Sequence, residues 1–475
     1  MTPTTMTSRT SRSGGAAAAG TMLLLAVSLG LVSCSDPVIP NYNNPVPPAV
    51  ISTQSELQSQ ATGIAAGDRE NHAFQIIIME TMGRDAYRID AADPRYINNP
   101  LGQFNPSAFI SNFLWNSHYK TIRSANDLTA AMAGSSAFSA AQKAGTFGYA
   151  ETFKAHQYMR LIELRDTIGV PISLGKEGQL DPIRCKPAVL TYISAALDSA
   201  SDSLKVAGTS FAFVLPGGFS SNGAFNTPAG FLKFNRGLKG KNEVYRGFIN
   251  YAKNGTIDAA ALNSAITAID ASFADVNGNY RDGVYHLYST SSGDLVNQNF
   301  DQSVYRANPK VLSQAEPGDA RLSKVVKTAG ANLSTEGVAS DILFTSPTGP
   351  TTPIPLLINE ELLLVKAEAL WGLNRDVEAL AIVNAVRTKS GGFATPKLLT
   401  DFPTRLDLLR EILKQKRYSL LFESPSRAID YRMFGLWAEL GLERSAPATP
   451  TLGPMVVPIP EAEANARDNN LTCTA

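Results

Sequence analysis

The 475-residue sequence predicts a mainly α-helical fold with one long irregular insertion. Three observations carry that expectation. Apolar residues recur at helical spacing over most of the chain, and a helix–turn–helix pair of tetratricopeptide length follows residue 355. Strand signals are few and short, as around 284–288, in a stretch at about 277–352 that is dense in Gly, Asn, Asp, Ser and Pro.

In chain order, the first segment reads as an export signal. Arg9 and Arg12 make a positive start, 22–32 is an apolar run, and Leu31-Val32-Ser33-Cys34 ends it in the pattern of a bacterial lipoprotein. At roughly a dozen residues the run is short of the ~20 a helix needs to cross a bilayer. Residues 1–33 are therefore expected to be a signal peptide and Cys34 the lipid-modified first residue of the mature chain; the alternative is a plain secretory signal with a chance cysteine. Acyl chains then hold the protein on a membrane without a spanning helix. Residues 34–48, rich in Pro and Asn, read as a semi-stiff tether, and 49–475 as the folded body.

Within that body the stretches 53–83, 109–132, 140–166, 188–207, 242–251 and 258–273 carry apolar residues at helical spacing. After the irregular insertion, 356–371 reads as one helix, 372–375 as a turn, and 376–387 as a second helix with Val377, Leu380, Ala381, Val383 and Val386 inward. Small Ala367 and Ala369 let its partner approach closely. The earlier pairs, 109–132 with 140–166 and 188–207 with 242–273, are expected to stack on this one.

The charge is balanced, with 42 basic and 42 acidic residues; without Arg9 and Arg12 the balance becomes 40 to 42, a charge of −2. That excludes nucleic acid as a main partner. Cys185 and Cys473 remain after the anchor. In an exported protein they can pair or stay as two thiols, and their spacing does not decide which.

A succession of motifs runs through the body. Trp115-x3-Tyr119-x2-Ile122-x2-Ala125-Asn126 is followed by Gly148-x-Ala150-x3-Lys154-Ala155-His156-Gln157-Tyr158, Gly169-Val170-Pro171-Ile172 and Lys186-Pro187-x4-Tyr192-Ile193-x3-Leu197-Asp198. Later come the alanine- and glutamate-containing helix at 362–369, Arg410-Glu411-Ile412, Glu423-Ser424-Pro425-Ser426-Arg427-Ala428-Ile429-Asp430-Tyr431-Arg432, and Pro458-Ile459-Pro460-Glu461 with Asn465. Their order resembles the RagB/SusD family of lipid-anchored nutrient-binding proteins over nearly all of 34–475. Two places depart from it: Glu423-Ser424-Pro425-Ser426-Arg427 is one residue longer than the family's Glu-Gly-x-Arg and lacks the glycine, and Gly169-Val170-Pro171 lacks the acid of its Gly-Asp-x-Pro turn. The resemblance implies a SusD-like helical fold, a site at the bacterial outer membrane facing the cell surface, and a SusC-like TonB-dependent β-barrel as partner, with a glycan or peptide as ligand.

The residues themselves favour binding over catalysis. There is no His-Glu-x-x-His and no Cys-x-x-Cys, and His72, His118, His156 and His286 are far apart in sequence, His118 and His156 reading as packing or surface residues of helices. Gly218-Phe219-Ser220-Ser221-Asn222 lacks the second glycine of a nucleophile elbow. Asp275-Val276-Asn277-Gly278-Asn279-Tyr280 begins like a calcium loop but has Tyr280 where glycine belongs and His286 where the bidentate Glu belongs. No catalytic residue, metal or cofactor is expected. Asp90 with Asp93 would be the acid pair if the chain were a hydrolase. Sugar rings stack on aromatic faces while Arg, Asn and Asp reach their hydroxyls. Two loop regions supply such mixtures, and the SusD-like resemblance implies a ligand face built from equivalent loops. The candidates are Arg84, Tyr87, Tyr96 and Asn98 in the first region, and Tyr285 and Tyr305 in the second. Trp115, Trp371 and Trp437 all fall in helical motifs, which leaves no tryptophan platform and favours a peptide over a glycan. The reading from another class is a helical-repeat envelope scaffold that binds proteins and no small nutrient.

Overall fold

The computed structural model describes residues 48–174, 179–444 and 452–475. The expected signal peptide, Cys34 and all of the tether but Pro48 lie outside the described residues.

Helices form where the apolar spacing places them. Helix α1 (Gln54–Glu70) starts at Thr53, whose hydroxyl accepts from the Glu56 amide at 3.2 Å while the Glu56 carboxylate accepts from the Thr53 amide at 3.0 Å. Asn71, a weak helix former, closes it, and the wholly buried α2 (His72–Met82) follows where the pattern alone reads as one run over 53–83. Then come α3 (Phe109–Ala133), α4 (Ala140–Arg165), α5 (Lys186–Lys205), α6 (Pro228–Gly247) and α7 (Ala259–Asp270). After the insertion follow α8 (Asn359–Gly372), α9 (Asp376–Lys389), α10 (Arg405–Ser419) and α11 (Ser426–Met433). Helix α1 packs on α3, and from α3 to α11 each helix packs against the next. The expected stacking of helix pairs is thus the architecture of the body.

Two boundaries and one buried face differ from the expectation. Helix α6 spans Pro228–Gly247 and not 242–251, because its glycines lower local propensity while serving contacts elsewhere. A Cβ on Gly240 would sit 2.4 Å from Ile269, and one on Gly247 2.1 Å from Leu262, so these glycines let α7 lie directly on the α6 backbone. Residues 356–358 belong to the strand Ile354–Ile358, which pairs antiparallel with Gly283–His286, so the helix begins only at Asn359. Val377 is 70 % exposed and Ala381 is also exposed. Helix α9 packs against both α8 and α10, which turns Ala379, Leu380, Val383 and Val386 inward instead.

The insertion is built from two-stranded pairs. Ala86–Arg88 joins Tyr305–Ala307, Val325–Lys327 joins Ile342–Phe344, and Leu333–Thr335 joins Val338–Ser340. Half-buried ion pairs at Glu423 tie it to the closing segment, and buried ones join the helices there to one another and to Asp85. Glu423 takes Arg281 at 2.8 Å and Lys324 at 3.2 Å, Asp85 accepts from Arg417 at 2.6 Å and Arg427 at 2.8 Å, and Lys416 bridges Glu368 at 2.7 Å and Asp430 at 2.9 Å. The Arg- and Glu-rich closing motif is therefore structural, since a buried charge is tolerated only when paired.

Cys185 and Cys473 form a disulfide with Cα atoms 4.9 Å apart. The tail beside it runs along the strand Ile183–Arg184: the Thr474 amide donates to the Ile183 carbonyl, and the Cys185 amide to the Thr474 carbonyl, each at 2.8 Å.

Candidate ligand-binding site

Five of the six residues singled out from the sequence gather in one corner, and all five are engaged by protein. Register places Arg88 opposite Tyr305 on the paired strands, and the Arg88 guanidinium lies 3.7 Å over the Tyr96 ring. The Tyr87 hydroxyl donates to Glu443 and accepts from Asn308 at 2.5 Å. Arg444 donates to the Asn98 side-chain carbonyl, Arg84 donates to the carbonyls of Met82 and Leu452, and Tyr305 packs 5.8 Å from Phe422. Arg84 and Tyr87 are 1 % exposed, Tyr305 5 % and Tyr96 7 %, and Asn98 is half-buried. Burial lowers Arg84 to about 10, while burial and the neighbouring Glu443 push the Tyr87 hydroxyl well above its ordinary value. Tyr87→Phe is accordingly expected to cost about 1–3 kcal/mol, the penalty for stranding a buried partner, read as a lower urea midpoint.

The sixth residue, Tyr285, lies elsewhere, on a groove of about 640 Å³. One wall is the face of α1 with Gln58, Thr62, Ala65, Ala66 and Arg69; the second is the 214–219 loop; the third is 285–289 with Asp294. Gln58 clips the first two walls together, donating to the Val214 carbonyl at 3.0 Å and accepting from its amide at 2.8 Å. Arg69 clips the third, donating to the Leu287 carbonyl at 2.7 Å and pairing with Asp294. Gly218 is required where the loop meets the strand, since a Cβ there would stand 1.8 Å from the Tyr285 carbonyl oxygen. The Tyr285 hydroxyl donates to the Arg281 carbonyl at 2.7 Å, whereas the buried Tyr288 hydroxyl has no protein partner. The one full charge pair in the lining, Arg69 with Asp294, is internally neutralised, and Asp294 is held below the usual carboxylate range by the Leu295 amide and then Arg69. Rings, amides and hydroxyls in a cleft of this size suit an uncharged polyhydroxylated ligand. A smaller cleft of about 380 Å³ lies beside Trp115 and Tyr119.

Beneath the groove, all four histidines of the chain meet in one buried network. Asp68 of α1 accepts from His156 Nδ1 of α4 at 2.8 Å, from Gln157, and lies 2.9 Å from His286 Nε2. His72 Nε2 lies 2.8 Å from the Pro355 carbonyl, and its Nδ1 is 2.6 Å from the Arg160 guanidinium. His118 of α3 contacts Gln157 at 2.6 Å and Gln75 at 3.1 Å. Burial, then Arg160, holds His72 well below the usual imidazole range and His118 down to about 3. Burial also lowers His286 against the pull of Asp68, and the two imidazoles hold Asp68 well below the carboxylate range despite its burial. Among the described residues no three His, Cys, Asp or Glu side chains are arranged to hold a metal ion.

No family model matches the sequence, and no curated protein matches it. Solved structures do match in shape. A SusD-like carbohydrate-binding protein from B. fragilis, 14 % identical, superposes over 87 % of this chain and 98 % of its own with a TM-score of 0.61. The chain has the SusD-like fold. B. fragilis NanU aligns at 17 % identity over 88 % of this chain and 96 % of its own, with a TM-score of 0.62. A protein solved with xylogluco-oligosaccharide aligns at 16 % identity over 87 % and 97 %, with a TM-score of 0.64. Of the residues that line the groove, only Tyr285 was among the candidates from the sequence; Gln58, Thr62, Arg69 and the 214–219 loop were not. The signal for the histidine network was present: Asp68, His72 and Gln75, like His156 and Arg160, are polar residues at the spacing of a buried helix face.

Proposed function

We propose that this SusD-like protein is a non-catalytic member of the RagB/SusD family that binds an oligosaccharide in the groove between α1, the 214–219 loop and 285–294. Lipidated at Cys34, it sits at the outer-membrane surface and passes its ligand to a SusC-like TonB-dependent barrel. The observation that carries the reading is the groove itself, an aromatic and amide-lined cleft with no uncompensated charge, on a fold shared with a protein described as carbohydrate-binding and one solved with xylogluco-oligosaccharide. Among the described residues no helix is long and apolar enough to cross a membrane. Tyr285 contributes to the groove, while Arg84, Tyr87, Tyr96, Asn98 and Tyr305 hold the neighbouring corner in place. His286, the one imidazole in the lining, lies 2.9 Å from Asp68, and the one carboxylate there, Asp294, is paired with Arg69.

The test is calorimetric titration of the protein with neutral oligosaccharides, acidic oligosaccharides and short peptides. Saturable binding of a neutral oligosaccharide, little changed between low and high salt, is expected, because an uncharged ligand releases no counterions. Turnover of the glycan, or binding of peptides alone, would reject the reading; capture of whole proteins with no small ligand would favour the envelope scaffold.

A further inference from the structure

The four-histidine network touches the groove through one wall. Tyr285 and His286 stand on a strand whose partner residues are Pro355 and Ile354, so that wall is held by whatever holds 354–358. The Pro355 carbonyl accepts from His72, and His286 Nε2 lies 2.9 Å from the Asp68 carboxylate of α1. Two imidazoles thus connect the wall to α1, α2 and α4.

The His72 connection requires an uncharged ring, whereas at His286 burial, with Arg160, opposes a proton that the Asp68 carboxylate favours. An Arg guanidinium only donates, so His72 Nδ1, 2.6 Å from Arg160, must be an acceptor and the ring proton must lie on Nε2, where it serves Pro355. A second proton would set N–H against N–H and charge against charge, and the ring would have to leave. His286 faces Asp68 from α1, His156 and Arg160 from α4 and His72 from α2, with the two rings 5.0 Å apart edge to face. Asp68 is the anion of this group and Arg160 already balances it, so each added proton is an excess positive charge in a space closed to water. His118 of α3 joins through Gln157 and Gln75, and Tyr288 closes the side toward the groove.

We propose that His72 and His286 are positioning residues that hold the 285–288 wall of the groove only while uncharged, so that mild acidification loosens this wall before the rest of the fold. The groove would then be well formed at neutral pH and open in an acidic medium, a coupling of binding geometry to proton concentration.

Because the chain has only four histidines, imidazole resonances can be followed ring by ring in the intact protein by NMR, beside amide hydrogen exchange at pH 7.5 and 5.0 corrected for the intrinsic rate. Protection in 283–289 and 354–358 is expected to fall at least tenfold more than in α9 and α10. His72→Gln and His286→Gln, which cannot gain charge, are each expected to reduce that selective loss. An even loss of protection over the chain, unchanged protection of the wall, or variants that keep the full pH effect would overturn the proposal. If the variants do not fold, the wild-type rings decide: His72 and His286 titrating like free imidazole with the wall unchanged would also overturn it. The experiment uses no ligand, so its outcome is separate from the question of what the groove binds.

Discussion

Relative to a His118→Gln variant, the wild-type protein loses roughly 1.4 kcal/mol of stability for each pH unit below about 6, a gap of about 3 kcal/mol by pH 4. The sign follows from where the ring takes its proton. In the unfolded chain imidazole is protonated below ~6.5. In the folded protein burial and Arg160 delay this to about 3. Between those values the unfolded state binds the extra proton, so the stability contributed by His118 is complete above the upper value and is lost as the pH falls toward the lower one. Glutamine does not titrate and removes that slope. The wild-type curve alone is not diagnostic, because buried Glu80 and Glu368, raised by burial, take protons in the folded state first and act in the opposite direction. Urea unfolding of both proteins at pH 7.5, 6, 5 and 4 checks the difference; parallel stability profiles would show that His118 is not held neutral.

Loss of the Cys185–Cys473 disulfide is expected to lower stability by roughly 2–4 kcal/mol at neutral pH, with a chain-entropy ceiling near 5–6 kcal/mol. The bond closes a loop of 288 residues, about two thirds of the body, so it restricts the unfolded chain far more than a local link does. It also fastens the tail along Ile183–Arg184, where Thr474 exchanges hydrogen bonds with Ile183 and Cys185. A Cys185→Ser/Cys473→Ser double variant should therefore unfold at a lower urea concentration and exchange the Thr474 amide quickly. An unchanged midpoint would mean that the tail and not the bond carries the stability.

Much of this architecture was legible because helix packing writes a periodic apolar stripe into the chain. Helices α3, α5 and α7 have that stripe. Helix α6 does not, since its glycines make it look like a loop, while the value of Gly237, Gly240 and Gly247 lies in contacts with α7 and α8 that no local pattern records. Val377 was expected inward because the stripe can be drawn two ways along a short helix, and only the neighbours of α9 decide between them. The candidate site was less legible. A tyrosine in a loop can turn its ring to solvent or into the protein, and Tyr87, Tyr96 and Tyr305 take the second course because Glu443, Phe74 and Phe422 await them from other segments. The same holds for His72, His118, His156 and His286, which the helix stacking brings together from widely spaced positions.

Thr62 lies exposed on the groove face of α1, where its side chain can be enlarged without entering the core. Titration of Thr62→Trp with whichever oligosaccharide binds the wild type tests most directly whether the groove is the ligand seat. The indole should fill the cleft and weaken binding at least tenfold, about 1.4 kcal/mol or more, with the unfolding midpoint unchanged. Undiminished affinity in a folded Thr62→Trp protein would place the ligand elsewhere on the molecule.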